Sequence, residues 1–382
     1  MVVDARYLSE PFGSMTVYCR NLLQALATLD LAAPPVALIP RALDPSAEPI
    51  RDALADTVRW VTPSRDIHGT EGLAGELRWV HREVPALLAR SLPRADVLIM
   101  PYHHPPARVP GVHRVVVLHD LCGLGLGFPK HKSAYWRHYL RLRAAARLAD
   151  TIWPISSSTR DAMVARFRPA RSRIGPIVHN GVDRQPRPPE HVSAVLAEHG
   201  LRRHAYVVAF ATWQERKNFG ASLAALTAMR RRGMPLRLVG IAPAGEHRSI
   251  RERCRSEGHD DAVILSGVSD DDLDALYAGA LALLWPSTCE GFGYPVVEAM
   301  VQGCPPLVGR TGPGAELIQG AFEPLASLDP TTIAARLEVL RDLTSERRDQ
   351  LDRALRARAA SFSSDRYRDQ LRDALLRLPT GP

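Results

Sequence analysis

The sequence has no apolar run long enough to cross a membrane as a helix. Its longest apolar stretch, around residues 275–285, is better divided into a helix end and a strand. The N-terminus enters a strand-like segment without a basic region or a cleavage site, so no secretion signal is expected. We therefore expect a cytoplasmic protein, with the inner face of the cell membrane as a further possible location.

Cysteine and aromatic residues are also scarce. The chain has five cysteines, none of them in C-x-x-C spacing, which disfavours a zinc site and fits a reducing cytoplasm. Aromatic residues make up 6% of the chain and are not interleaved with the basic residues as they are in nucleic-acid-binding modules. We expect no metal and no nucleic acid partner.

The residues that are present suit a soluble protein of more than one domain. The chain has 382 residues, of which 46% are hydrophobic and 24% charged, enough to form two cores. Its formal net charge is +8. An excess of positive charge favours an anionic partner, such as a nucleotide diphosphate, a lipid pyrophosphate or a membrane surface.

Short apolar segments rich in β-branched residues alternate with helical segments along the chain. This alternation predicts parallel, doubly wound α/β sheets, whose ligands gather at the carboxyl ends of the strands. His119 comes directly after one such strand, and His103 and His104 follow another and are candidates for contact with an acceptor. The predicted strands of the first half are 1–8, 36–40, 58–62, 97–102, 115–119, 151–155 and 173–183.

Residues 285–305 are the best candidate for a binding site. They read as the end of a strand, a loop with Gly291 and Gly293, and a helix. This order exposes backbone N–H groups at a positive helix end, which suits a phosphate. Glu298, one turn into the helix, could accept hydrogen bonds from a ribose, and Glu290 could face what lies beyond the phosphates. The alternative is a glutamate that balances the helix dipole and a solvated loop glutamate.

The segment EGFGYPVVEAMVQGCPPLVG resembles the C-terminal signature of the retaining glycosyltransferases of family 4, which have the GT-B fold. The resemblance continues in order through VVDARYL, NLLQAL, VVLHD, ADTIWPISSSTRDAM, HNGVD, RKN and LYAGALALLWPS. It implies two Rossmann-like doubly wound domains that face an interdomain crevice. We place the acceptor-side domain at 1–185, a nucleotide-sugar-binding domain at 186–362 after a proline-rich linker, and a helix at 363–382 that returns to the first domain.

The resemblance also implies roles for individual residues. Lys217 would contact the pyrophosphate, and Arg216 would replace an arginine that relatives carry a few residues earlier. Glu290 would orient the hydroxyls of the transferred sugar, and His119 would lie against that sugar. The donor-binding set predicted in this way is Arg216, Lys217, Gly291, Phe292, Gly293, Glu298, Gly13 and Ser14, with Glu290 and His119 as the catalytic residues. No cofactor and no metal on the diphosphate are implied.

Two features of the first domain have alternative interpretations. Gly13 and Ser14 match the glycine-rich loop of relatives only loosely, because Thr16 and Val17 stand where many relatives have glycine and arginine; a helix-capping turn is an equally good account. Residues 130–150 predict a basic amphipathic helix, which could rest on anionic lipid or could pack its aromatic residues inward as an ordinary surface helix.

The aspartates of 269–277 suggest a metal site, but an N-cap at Ser269 followed by acids in a first helical turn explains them without one. We predict a retaining, metal-independent glycosyltransferase that moves a sugar from a nucleotide diphosphate sugar, GDP-mannose first, to a glycan or lipid-linked acceptor. The alternatives are a noncatalytic sugar-nucleotide-binding subunit, a transferase acting on a small natural product, and a GT-B epimerase or phosphorylase.

Overall fold

The computed structural model describes residues 1–10, 13–40, 43–63, 72–92, 95–125, 132–169 and 171–379. The chain divides into two compact units. The first consists of Met1–Gly181 and Ser364–Pro382, and the second of Val182–Ser363. The sequence placed these two boundaries at 185/186 and 362/363.

The described residues of the first unit contain a parallel sheet of six strands in the order β3-β2-β1-β4-β5-β6. Its strands are β1 (Val2–Asp4), β2 (Val36–Leu38), β3 (Arg59–Val61), β4 (Val97–Met100), β5 (His113–Leu118) and β6 (Thr151–Pro154). Its helices are α1 (Ser14–Ala27), α2 (Glu48–Ala53), α3 (Gly72–Arg78), α4 (Val84–Ser91), α5 (Lys132–Leu148) and α6 (Ser157–Phe167). The C-terminal helix of the chain, Ser364–Leu376, packs against α1 in this unit.

The second unit contains a parallel sheet in the order β11-β10-β7-β8-β9. Its strands are β7 (Tyr206–Phe210), β8 (Arg237–Ile241), β9 (Val263–Leu265), β10 (Leu283–Trp285) and β11 (Pro306–Val308). Its helices are α7 (Pro189–Glu198), α8 (Phe219–Arg231), α9 (His247–Ser256), α10 (Asp270–Gly279), α11 (Tyr294–Val301), α12 (Pro313–Ile318), α13 (Pro330–Arg341) and α14 (Ser345–Ala359), and the C-terminal helix is α15.

Each unit has its own hydrophobic core, as its strand composition requires. Helices on both faces of a parallel sheet bury the strands completely, which favours continuous apolar runs over alternation. The interior strand β10, for example, is buried along its whole length. One core gathers around Leu98, Val116 and Trp79 in the first unit, and another around Val207, Leu238 and Leu284 in the second.

Three predicted segments differ in the structure. The first strand ends at Asp4 instead of continuing to residue 8, because Arg6–Ser9 form a 3-10 helix. Residues 173–183 form no regular strand; Ile174 and Val182 make only isolated bridges. The predicted linker is folded, since α7 begins at Pro189 and the residues before it are held by side chains of the second unit. Within the described residues, no helix is both long and apolar enough to span a membrane.

Candidate functional site

β7 and β10 are parallel neighbours in the second sheet, and the connections that follow them run toward opposite sides of the strand order. The chain passes from β7 toward β8 and from β10 toward β11, so the strand order reverses between them. In open α/β sheets, ligands bind at the carboxyl ends of strands at such a reversal point. The loops at residues 211–218 and 286–293 follow these two strands and carry most of the predicted donor-binding residues.

Glu290 brings the two loops together through a cluster of short polar contacts. Its Oε1 lies 2.7 Å from Lys217 Nζ and 3.0 Å from Arg216 Nη1. The same oxygen accepts a hydrogen bond from Ser287 Oγ at 2.6 Å. We call Arg216, Lys217 and Glu290 the charged cluster. It has two cations and one carboxylate, so it retains positive charge for a further anion.

Backbone contacts fix the charged cluster in place. The N–H of Thr288 donates to the carbonyl of Arg216 at 2.8 Å, and Arg216 Nη1 lies 3.3 Å from the carbonyl oxygen of Cys289. Arg216 and Lys217 stand in a 3-10 turn that ends at Asn218, whose φ of 52° lets the chain turn directly into α8. Asparagine tolerates this left-handed conformation better than most residues.

Lys217 has a second partner in the side chain of Trp285. Its Nζ lies 4.1 Å from the centre of the indole ring, within the range of a cation–π contact. Burial lowers the pKa of Lys217, and the carboxylate of Glu290 opposes that shift. Glu290 and Trp285 together hold the lysine side chain beside the end of β10.

The glycine loop leads into α11 at Gly293, as the sequence predicted. Gly293 has a φ of 108°, which L side chains rarely adopt, although a Cβ there would meet its nearest neighbour at an ordinary 3.6 Å. The backbone conformation, and not a lack of space, therefore requires glycine. Phe292 is buried and packs edge-on against Tyr294 and Phe362, which anchors the loop.

Glu298 lies in a separate network on α11. Its Oε1 is 3.5 Å from Arg184 Nη2, and Arg184 also contacts Asp270 at 2.8 Å and Asp274 at 3.5 Å. Burial raises the pKa of Glu298 to about 7, an effect that Arg184 opposes and Asp274 strengthens. The predicted contact between Glu298 and a ribose stays a prediction.

The same network explains the aspartates of α10. Ser269 caps the helix by accepting a hydrogen bond from the N–H of Asp272. Arg187 lies 2.8 Å from Asp271 and 3.4 Å from the fully buried Asp274. These pairs were not predicted, because the proline-rich charged residues 184–191 are typical of a linker. The available signal was the presence of two arginines, Arg184 and Arg187, in a chain whose helix α10 begins with three aspartates. Among the described residues, no group of histidines, cysteines and acids has the arrangement of a metal site.

In the first unit, the strand order reverses between β1 and β4, and a cavity of about 400 Å³ lies among the residues that follow β1, β4 and β5. We call it the first-unit cavity. His119 is one of the residues that line it. Its Nε2 lies 2.7 Å from the carbonyl oxygen of Pro101, and burial lowers its pKa to about 4. His119 is therefore neutral near pH 7 and donates from Nε2, which leaves Nδ1 as an acceptor.

Gly13 and Ser14 form the start of α1. The Gly13 N–H donates to Thr16 Oγ1 at 3.3 Å, and Ser14 lines the first-unit cavity. Gly13 has an extended φ of −165°, so the turn does not depend on glycine. Thr16 donates to the carbonyl of Tyr7 at 3.3 Å, so the residue that departs from the expected pattern serves to fix the helix start.

The remaining cavity residues were mostly missed. His104 lines the cavity and lies 2.7 Å from the Tyr7 hydroxyl, whereas His103 is fully buried beside His138 and does not line it. Arg6 and Glu76 also line it, and both lie far in sequence from the recognisable motif. No sequence signal pointed to Arg6, because the predicted strand 1–8 includes it, whereas in the structure the strand ends at Asp4.

Residues 204–342, which belong to the second unit, match the protein family described as Glycosyl transferases group 1. The O-antigen chain mannosyltransferase B of Escherichia coli is 30% identical over 216 residues, covering 53% of this chain and 55% of that protein. The MMP alpha-(1->4)-mannosyltransferase of Mycolicibacterium hassiacum is 45% identical over 53 residues, covering 14% and 13%. The chain thus spans about half the length of the first relative and a small part of the second.

Solved structures resemble the chain over nearly its whole length. Anabaena HepE in complex with UDP has a TM-score of 0.70 at 15% identity, covering 99% of both chains. WaaG, a glycosyltransferase involved in lipopolysaccharide biosynthesis, has a TM-score of 0.70 at 15% identity, covering 97% of this chain and 99% of that one. At these identities the likeness shows the fold. It is the GT-B fold, which confirms the predicted fold class.

Proposed function

We propose that this GT-B protein, a group 1 glycosyltransferase domain in its residues 204–342, transfers a sugar from a nucleoside diphosphate sugar to an acceptor hydroxyl. The charged cluster at the reversal point of the second sheet is the observation that carries the proposal. Two cations within 3.0 Å of one carboxylate oxygen form a site in which phosphate oxygens can replace or join that carboxylate.

Arg216 and Lys217 would stabilise the charge that grows on the leaving diphosphate. Arg216 offers a planar fork and Lys217 a single point charge, which suit neighbouring phosphate oxygens. The backbone N–H groups at the start of α11 add a positive helix end. Removing one preorganised contact of this kind costs about 3 kcal/mol of transition-state stabilisation. In this proposal the two side chains supply the positive charge that a metal ion provides in other transferases.

Glu290 would exchange partners when the donor binds. With the cations engaged by phosphate, its carboxylate becomes available to accept hydrogen bonds from hydroxyls of the transferred sugar. We propose that the reaction retains the configuration of the sugar. The bond from the sugar to the diphosphate breaks, the acceptor oxygen bonds to the same face, and the acceptor's proton passes to the departing phosphate oxygen. No protein group is then needed as a general base.

For the donor we propose GDP-mannose. Two curated relatives are named as mannosyltransferases, which supports a mannosyl group. Anabaena HepE was solved with UDP and with UDP-glucose, so a UDP-sugar is the rival that the experiment has to separate. For the acceptor we propose a hydroxyl of a growing glycan, carried on a lipid. The relative named for the O-antigen chain supports this choice over a small natural product.

We also propose that the protein works in the cytoplasm, against the inner face of the membrane, through the segment 130–150. Residues 130 and 131 lie outside the described residues. On α5, Trp136 and Leu140 are 57% and 58% exposed on the same face as Arg143 and Arg147. Exposed Trp and Leu beside arginines suit the boundary of an anionic bilayer, whereas an ordinary surface helix would turn them inward.

A donor panel tests the proposed function. Thermal unfolding of the full chain is measured with GDP, UDP and ADP, and transfer or hydrolysis is then measured with the matching mannose and glucose donors. Saturating GDP at about 100 times its dissociation constant should add about 2.7 kcal/mol of stability. Transfer from GDP-mannose with the α configuration kept in the product is the expected result. Nucleotide binding without turnover on any donor would support the noncatalytic alternative.

A further inference from the structure

Trp213 lies in the loop that carries two members of the charged cluster. It stands two residues before the 3-10 turn Glu215–Lys217. Its side chain is 48% exposed, whereas Trp79 and Trp153 of the first unit are buried. Packing in a hydrophobic core therefore does not explain this tryptophan, and its contacts with neighbouring side chains decide what it does.

Two hydrogen bonds join Trp213 to the start of α9. Its indole Nε1 donates to Ser249 Oγ at 3.0 Å, and its backbone N–H donates to Glu246 Oε2, also at 3.0 Å. Glu246 directly precedes α9, which follows β8, and β8 is a neighbour of β7 in the sheet. The hydrogen bond to the carboxylate is charge-assisted and therefore stronger than one between neutral groups. Both the main chain and the side chain of Trp213 are thus attached to the start of the same helix.

Arg253, further along α9, contacts both ends of the loop. Its guanidinium carbon lies 5.3 Å from the centre of the Trp213 ring and 5.8 Å from the centre of the Phe219 ring. Both distances are within the range of a cation–π contact. Glu257 accepts a hydrogen bond from Arg253 Nε at 2.8 Å, which fixes the guanidinium. Because Phe219 is the first residue of α8, Arg253 holds the chain both before and after the 3-10 turn.

A second attachment of the loop comes from the residues that follow β10. The N–H of Thr288 donates to the carbonyl of Arg216 at 2.8 Å, and Glu290 binds both cations of the charged cluster. In the proposed reaction Glu290 exchanges its partners when the donor binds. The contacts between Trp213 and α9 do not involve that carboxylate, so they can hold the loop throughout.

We propose that Trp213 is a positioning residue, which attaches the loop to α9 and so holds Arg216 and Lys217 in place for the leaving diphosphate. This inference rests on the proposed function and assigns a role to a residue that itself contacts neither substrate. Preorganised cations need no rearrangement as negative charge develops on the diphosphate. A looser loop would therefore bind the diphosphate less tightly and stabilise its developing charge less well.

Hydrogen exchange of the full chain tests the attachment without any ligand. The N–H groups of Lys217 and Asn218 donate to the carbonyls of Gln214 and Glu215, at 2.9 and 3.0 Å. In Trp213→Ala we expect these two amides to exchange at least about fivefold faster, because the loop opens more often. The amides of β8 should keep their rates. Unchanged exchange of the two loop amides would overturn the proposal.

Nucleotide affinities separate positioning from a general structural role. Dissociation constants of GDP, GMP, UDP and UMP are measured for the unmodified protein and for Trp213→Ala. The cations meet more phosphate oxygens in a diphosphate, so the preference for the diphosphate over the monophosphate should fall about fivefold or more in the variant. A purely structural role would change the amount of folded protein and leave that preference as it is. An unchanged preference would therefore contradict the proposal.

Two milder variants locate the effect at one hydrogen bond. Trp213→Phe keeps the ring beside Arg253 but loses the indole N–H, and Ser249→Ala removes the acceptor of that N–H. Each should lower kcat for transfer about threefold, the expected effect of one neutral hydrogen bond. The double variant should be no slower than either single variant, because both changes remove the same contact. Effects that multiply in the double variant would contradict the proposal.

Ser193→Ala on α7 is the matched control for Ser249→Ala. The Ser193 hydroxyl also donates to a carbonyl of its own helix, that of Pro189 at 2.8 Å, and is exposed. This variant should keep kcat within about twofold of the unmodified protein. If none of the four nucleotides binds the unmodified protein, the proposed function is wrong, and the role assigned to the loop with it. If the unmodified protein binds and transfers, and Trp213→Ala does so equally well, only this inference is wrong.

Discussion

The two units present similar sheets but differently charged sites. In the second unit two cations share the carboxylate of Glu290 at 2.7 and 3.0 Å. In the first unit Arg6 and Arg141 each have a carboxylate partner, and further acids line the cavity. The same fold position, a reversal of strand order, thus carries a cluster with excess positive charge in one unit and a cavity lined by more acidic than basic side chains in the other. Function follows from the side chains that the fold places there.

The units also differ in how burial shifts their titrating groups. In the second unit burial raises the pKa of Glu298 to about 7 and that of Asp274 to about 6, which favours protonated carboxyls. In the first unit burial lowers the pKa of His119 to about 4, which favours a neutral ring. Desolvation removes charge in both cases, but the pH responses of the two groups have opposite signs.

The largest expected effect comes from removing a cation of the charged cluster. Lys217→Ala should lower kcat/KM for sugar transfer by a factor of about 100 to 1000, because it removes one preorganised contact to the leaving diphosphate. The measurement is the initial rate of transfer at low donor concentration. Arg232→Ala, which breaks an exposed pair with Glu338 at 3.1 Å in the same unit, is the matched control and should leave the rate within about twofold. Equal transfer rates in the two variants would show that Lys217 does not contribute to sugar transfer.

The next effect should separate nucleotide binding from transfer. Glu290→Gln keeps the shape of the side chain but removes the charge that competes with a diphosphate for Arg216 and Lys217. We expect transfer to fall about 100-fold while the affinity for the nucleoside diphosphate rises several-fold. Calorimetric titration with GDP or UDP gives the affinity. If binding and transfer fall together, Glu290 holds the loops in place and does not act on the sugar.

A smaller effect concerns the pH dependence of stability. The folded-state pKa of Glu298 is about 7, above the reference value of 4.5, so its contribution to stability is complete below pH 4.5 and is lost as the pH rises through 7. Glu298→Gln cannot titrate. The melting temperature of the variant minus that of the unmodified protein should therefore increase between pH 5 and pH 8, by roughly 2–8 °C.

His119→Gln provides the opposite case in the first unit. The pKa of His119 is lowered from 6.5 to about 4, so its contribution is present above pH 6.5 and is lost as the pH falls toward 4. The melting temperature of this variant minus that of the unmodified protein should therefore increase as the pH is lowered toward 4. The same slope for both variants would mean that burial does not set these two pKa values in the way that the structure indicates.

The sequence predicted the second-unit site better than the first. The strand, glycine loop and helix around Gly293 are local in sequence. A position with a φ of 108° requires glycine, and that glycine is visible in the sequence. The ion pairs of Arg184 and the unused donor of Arg6 depend on residues that meet only after folding. Composition does not reveal such partners. The predicted strand at 1–8 was too long, because residues Arg6–Ser9 form a 3-10 helix that places Arg6 against Asp4.

The smallest expected effect concerns the outer surface of the first unit. If α5 rests on an anionic membrane, the unmodified protein should co-sediment with vesicles containing phosphatidylglycerol and much less with vesicles of phosphatidylcholine alone. Replacing both Trp136 and Leu140 by alanine should weaken this binding about tenfold, because the two side chains are the apolar part of the exposed face.

Val339→Ala serves as the matched control for that double variant, because Val339 is 59% exposed on α13 of the second unit. Any exposed apolar residue would support binding if the attraction were nonspecific, and the control would then lose affinity as well. If the contact is confined to α5, only the double variant binds less. The membrane would then engage the first unit, and the charged cluster of the second unit would remain the proposed site for the nucleotide.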